Sequence, residues 1–144
     1  MADSGSDDYH DYYRMLLELD EAGARTLALG YCDTHGLEPT FDEVLIPALI
    51  LAGQERIDGH ISQENHRFIV EITRGLVKDL GHRFIKPRTA PRLRMLGICA
   101  PGEVHDLGLL ILLELLRHSG AAAIEATSFI RYIPAPARAV VAEW

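Results

Sequence analysis

Glu103, His105 and Gly108 fall within six residues, in the stretch Leu93 to Gly120 that reads LRMLGICAPGEVHDLGLLILLELLRHSG. A short apolar run leads into a Pro-Gly loop, and the loop leads into a strongly apolar helix. A neutral imidazole is a good transition-metal ligand, and a carboxylate bonded to its second nitrogen fixes the tautomer and raises its basicity. A nearby glycine leaves clearance for a bulky group to approach. The place suits such a task, because open α/β sheets bind ligands at the carboxyl ends of strands, beside the free N–H groups of helix starts. The plainer alternative is that Gly108 only lets the helix approach the sheet.

Other reactive side chains carry weaker signals. Cys99 stands near His105 at the end of the apolar run, a combination that suggests a thiolate nucleophile or a zinc site with Glu103. No second Cys-x-x-Cys or His-x-x-x-His set completes a tetrahedron, so a buried strand cysteine is the better reading. Asp106 and His105 lack a Ser or Cys nucleophile in a recognisable elbow, which argues against hydrolysis. His60 and His66 flank a helix start at Ser62 and are candidates to face a ligand held between helices and sheet, while His10, His35, His82 and His118 read as solvated or helix-end residues.

The elements that must position these groups follow from periodicity. Tyr9, Tyr12, Tyr13, Leu16, Leu17 and Leu19 recur at helical spacing after an acidic start, predicting a first helix from Asp7 to Leu19. Asp20 caps a second helix that presents Ala24, Leu27, Ala28, Tyr31 and Cys32 and ends at His35-Gly36. Thr40-Phe41-Asp42-Glu43 has the form of a capping box opening a third helix, with a kink at Pro47 and an end before Gly59. Ser62 caps a fourth, in which Phe68, Ile69, Ile72, Leu76 and Leu80 face the core. Short connections make these four an antiparallel bundle. The linker Lys86-Pro87-Arg88-Thr89-Ala90-Pro91 breaks the pattern. Beyond it the sequence predicts a strand at Leu93–Ala100, a helix at Val104–His118, a strand at Ala121–Thr127 and a final helix at Ala135–Trp144, hence parallel strands with right-handed crossovers. The domain reading is a four-helix domain at 1–81, a linker at 82–91 and a partial α/β domain at 92–144.

Glu103-Val104-His105-Asp106-Leu107-Gly108 resembles the D/E-x-H-x-x-G motif of cobalamin-binding domains. The resemblance extends upstream. Val44-Leu45-Ile46-Pro47-Ala48-Leu49 and the stretch Ala52 to Ser62 are similar to the helical cap that precedes many such domains, with its V-L-x-P-A-L and G-x-x-W-x-x-G-x-I-S runs and a following Glu-His pair. It implies an α/β fold, an N-terminal antiparallel four-helix bundle followed by a partial Rossmann-like (flavodoxin-like) parallel domain. It also implies a cobalamin cofactor: His105 as the lower axial ligand of cobalt, Glu103 steadying it, Gly108 clearing the corrin, and Arg56 and His66 on the cap side. Arg56 stands where the cap's tryptophan is expected, and Ser62-Gln63-Glu64-Asn65-His66 keeps the Glu and His at altered spacing. The later Ser-x-Leu and Gly-Gly motifs that line the slot for the cofactor's nucleotide tail are missing from residues 106–144, so the chain reads as a fragment or a shortened relative.

Composition bounds the function. With 48% apolar and 24% charged residues, the 144-residue chain belongs among soluble globular proteins. A net charge of −7 with scattered Lys and Arg argues against direct nucleic-acid binding. No run of eighteen apolar residues and no leader pattern appear, and Cys32 and Cys99 lie far apart in apolar segments, so a cytoplasmic setting is expected. Substrate-binding barrels of cobalamin enzymes have no room here, which points to a corrinoid-binding sensor or carrier rather than an enzyme. The competing reading is a degenerate interaction or regulatory module that binds no cofactor, similar to cytosolic regions of bacterial transporters. Either way a protein partner or homo-oligomer is expected, because two parallel strands leave edges that need cover.

Overall fold

The computed structural model describes residues 5–83, 93–98, 106–118 and 124–129. Helix α1 spans Gly5–Leu17, two residues short of the Leu19 expected from periodicity. Leu19 adopts a left-handed conformation (φ 61°), and the Asp20 N–H reaches back to the Met15 carbonyl at 2.8 Å, satisfying a carbonyl at the helix end. Helix α2 covers Glu21–His35, and Asp20 caps it as its position requires, its carboxylate accepting from the Gly23 N–H at 2.9 Å.

The capping box at Thr40 does not form. Gly36, at φ 94°, turns the chain directly into a three-residue helix, α3 (Leu37–Pro39), which continues through a π-helical segment, Thr40–Leu45, into α4 (Ile46–Ile57). The Thr40 hydroxyl donates to the Gly36 carbonyl at 2.7 Å instead of accepting from a following N–H, so it serves the interior of a helix that has already begun. Burial of Leu37, Thr40, Phe41, Val44 and Leu45 holds the widened turn in place. Pro47 falls just after the π segment, and as it has no N–H to donate, it interrupts the backbone ladder where the turn is widened. After the turn at Gly59 (φ 78°), Ser62 accepts from the Asn65 N–H at 3.0 Å and opens α5, Gln63–Arg83, the longest helix.

One apolar cluster joins these helices. It includes Tyr12 and Leu16 of α1, Ala24, Ala28 and Cys32 of α2, Phe41, Val44 and Leu45 of the π segment, Ala48 and Ala52 of α4, and Ile69, Leu76, Val77 and Leu80 of α5. Inside it the Tyr12 hydroxyl and Thr73 Oγ1 are hydrogen-bonded at 2.9 Å, both residues fully buried, which locks α1 to α5. Burial pushes the Tyr12 phenol up to about 12, against the smaller opposing pull of the Thr73 bond and the Arg25 charge. Ion pairs from α2 to α5, Arg25 with Asp79 and Arg83 with Asp33, close the outer edge.

The remaining described elements are β1 (Leu93–Ile98), α6 (Asp106–His118) and β2 (Ile124–Phe129). The strands pair in parallel, Leu93 opposite Ile124 through Ile98 opposite Phe129. Leu107, Leu110 and Ile111 of α6 enter the same cluster as the N-terminal helices. Helix α6 comes close to α5 at Gly81. A Cβ there would lie 2.2 Å from Glu114 Oε2, and Glu114 is itself buried and paired with Arg117 at 2.6 Å.

This arrangement corrects the expected fold class. The described residues are overwhelmingly helical, and no Rossmann-like or flavodoxin-like domain is present among them: the single strand pair has no further parallel strands, so no doubly wound sheet forms. The physical reason lies in α6. It is shared between two neighbours: Leu107, Leu110 and Ile111 join the helical core, and the helix also packs against β2. Helix α5 also runs to Arg83, two residues into the expected linker. The helix expected at 135–144 lies outside the described residues.

Candidate functional site

Glu103 and His105, the expected ligand and its partner, lie outside the described residues. Gly108, the third member of that motif, sits in the first turn of α6, exposed, and a Cβ built on it would meet nothing within 4 Å. Among the described residues, then, no neighbour crowds this position. A Cβ at Gly81, by contrast, would meet Glu114 of α6.

On the cap side, Arg56 is exposed in the last turn of α4 and His66 is half-buried in the first turns of α5. The structure brings these two together across the Asp58–Ser62 connection. Burial, and secondarily the Arg56 charge, holds the His66 imidazole below its ordinary range, so the ring is neutral near pH 7. His60 is exposed and turns to Glu55, its Nδ1 3.1 Å from the carboxylate. His35 stacks on Tyr31 with ring centroids 4.1 Å apart, and its Nδ1 lies 3.2 Å from the Tyr31 carbonyl.

The expectation of cobalt or other metal binding gains no support from these positions. Among the described residues no three His, Cys, Asp or Glu side chains are grouped as a metal site. Nor is any described helix long and apolar enough to cross a membrane.

Two features escaped the sequence reading. The first is a cluster beside the π segment, where the Tyr31 hydroxyl donates to the Glu43 carboxylate and Cys32 contacts Thr40. The Glu43 hydrogen bond, followed by burial, pushes the Tyr31 phenol up to about 12, and burial likewise pushes the Cys32 thiol up. These contacts pin the π segment to α2.

The second is the outer face of α4. Ile50 and Ile57 are 67% and 70% exposed, far from the interior behaviour of isoleucine, while Ala48 and Ala52 face the core. Ile46, on the preceding turn, is half-buried and packs against the core. The signal was present in the sequence, since the apolar content of α4 runs around the whole helix rather than along one stripe.

No protein-family model matches the chain, and no curated protein matches it significantly. The resemblance to cobalamin-binding domains therefore rests on the quoted motifs.

Proposed function

We propose that this chain is an interaction module of regulatory type, related in sequence to cobalamin-binding domains, that acts through the exposed face of α4. The observation that carries this reading is the pair Ile50 and Ile57, two large aliphatic side chains one heptad apart with about two-thirds of their surface in water. Exposed apolar rows of this kind mark association surfaces. Arg56 adds to the argument. It places a charged, solvated side chain where the related caps offer a flat aromatic surface to the corrin.

Corrinoid binding, with His105 below the cobalt and Glu103 orienting it, is the second reading. What supports it is the order Glu103-x-His105-x-x-Gly108 immediately ahead of and within the start of α6, and the open space at Gly108. A bound corrinoid would supply a cobalt centre for ligand exchange. The chain's own contribution would be a neutral imidazole and clearance.

The experiment is an absorption spectrum of the purified protein after incubation with hydroxocobalamin and removal of free cofactor. A colourless protein is expected. A retained corrin band that is lost in His105→Ala and kept in His66→Ala would overturn the interaction reading in favour of a corrinoid-binding sensor or carrier.

A further inference from the structure

We infer that Glu114 is a positioning residue: its buried carboxylate, seated in the notch that Gly81 leaves on α5, fixes the rotation of α6 and so decides that the face bearing Gly108 and Leu112 looks outward. The seat lies apart from the α4 face and holds whether or not a partner binds there. Among the described residues Glu114 is the one charged residue that is buried.

From Leu107 to Leu116 every residue of α6 other than Gly108 and Glu114 is leucine or isoleucine. A helix that is apolar all round has no preferred face. Turning it by one residue exchanges one aliphatic side chain for another at the contact, so burial of apolar area hardly separates the arrangements. A charge separates them sharply, because a carboxylate pressed into an apolar contact without a partner costs far more than a misplaced leucine gains. In the observed arrangement Leu107, Leu110, Ile111 and Leu113 are buried, and Gly108 and Leu112 are exposed. At about 100° per residue, Leu112 and Glu114 stand nearly opposite each other on the helix.

Two features receive the carboxylate. Helix α5 carries glycine at 75 and at 81, and the space beside them differs. A Cβ on Gly75 would meet nothing within 4 Å, whereas one on Gly81 would overlap the Glu114 carboxylate and come within 3.1 Å of its Cγ. The end of the glutamate therefore stands where α5 would otherwise have a side chain of its own. Arg117, one turn on from Glu114, donates to it at 2.6 Å, so the charge is balanced where it is buried. Such a pair adds little net stability, since desolvation consumes most of the attraction. What it contributes is a single arrangement in which both partners are satisfied, and any other rotation of α6 takes the carboxylate out of the notch.

The test is leucine-methyl NMR of the full chain with a soluble paramagnetic agent, beside urea unfolding, for the wild type, Glu114→Gln, Glu114→Leu and Gly81→Ala. In the wild type the agent bleaches the exposed Leu112 and spares the buried Leu107, Leu110 and Leu113. Glutamine has the length and the acceptor oxygen to keep the seat, so Glu114→Gln retains that contrast. In Glu114→Leu the expected result is a urea midpoint held or raised together with loss of the contrast, the four leucines of α6 being bleached alike while Leu16, Leu76 and Leu80 of the other helices stay protected. Gly81→Ala closes the notch and loses the contrast in the same way, and it decides the question if Glu114→Leu does not fold. A wild type in which Leu112 is spared, a contrast retained in Glu114→Leu or in Gly81→Ala, or an equal loss in Glu114→Gln, which would mark a general packing defect, each overturns the inference.

Discussion

Tyr12 and Tyr13 are adjacent, both buried, and differ in one respect that sets opposite responses to the same substitution. The Tyr12 hydroxyl is bonded to Thr73 Oγ1 at 2.9 Å, and the Tyr13 hydroxyl has no hydrogen-bond partner among the described residues. Tyr12→Phe leaves the fully buried Thr73 hydroxyl without its partner, a loss of about 1–3 kcal/mol. Tyr13→Phe removes a desolvated hydroxyl that gains nothing, and is neutral or stabilising by up to about 1 kcal/mol. Urea unfolding followed by far-UV circular dichroism reads both. Adding Thr73→Val to Tyr12→Phe should recover much of the loss, with a coupling of about 0.5–3 kcal/mol in the double-mutant cycle. The Tyr12 effect also depends on pH. In the folded chain this phenol ionises at about 12, while in the unfolded chain it does so near 10, so between these values the unfolded state holds fewer protons and stability falls as pH rises. Two pKa units correspond to about 3 kcal/mol. The deficit of Tyr12→Phe relative to wild type should therefore stand at pH 7 and shrink toward zero or reverse by pH 12. Equal effects of the two substitutions at pH 7, or an additive cycle with Thr73→Val, would refute the reasoning.

Leu19→Gly should stabilise the chain by about 1 kcal/mol, because Leu19 holds a left-handed conformation while 67% exposed and glycine removes the Cβ penalty at little hydrophobic loss; a lower urea midpoint would contradict this. Gly81→Ala should gain none of the roughly 1 kcal/mol that alanine offers a helix interior while Glu114 occupies the space, and should recover that gain once Glu114→Ala is introduced, as chemical denaturation of the four-member cycle would show. Ser62→Ala should cost about 1 kcal/mol by removing the acceptor for the Asn65 N–H, with faster amide exchange confined to the first turn of α5 as its signature. The folded chain holds the His66 pKa below its ordinary value, so His66 contributes stability that is fully present above about pH 6.5 and is lost as pH falls through the depressed value; His66→Gln should flatten this acid limb, and an unchanged limb would show that the histidine is not the group responsible.

What the amino-acid sequence determined by itself is what acts within a few residues. Asp20 and Ser62 cap their helices because a short oxygen-bearing side chain reaches an N–H three positions on, whatever the rest of the chain does. The apolar spacing of Ile69, Leu76 and Leu80 marks the buried side of α5 for the same reason, since helix period alone assigns residues to faces. Of the candidate site, Gly108 stands exposed in the first turn of α6, while the Arg56 charge came to bear on His66 only with the turn between α4 and α5. Tertiary packing decided the rest. Thr40 carries a valid capping-box pattern, yet burial of Leu37, Phe41 and Val44 favours unbroken helix, and the hydroxyl turns to Gly36. Tyr12 meets Thr73 and Gly81 meets Glu114 across stretches of chain that no local pattern spans. The fold class turned on the same point. The run from Leu93 to Phe129 has the alternation of an α/β unit, but periodicity does not say which neighbour an apolar helix face will bury against, and Leu107, Leu110 and Ile111 bury theirs in the helical core. Which faces meet is settled by shape and volume between segments distant in sequence, and that information exists only once the chain has folded.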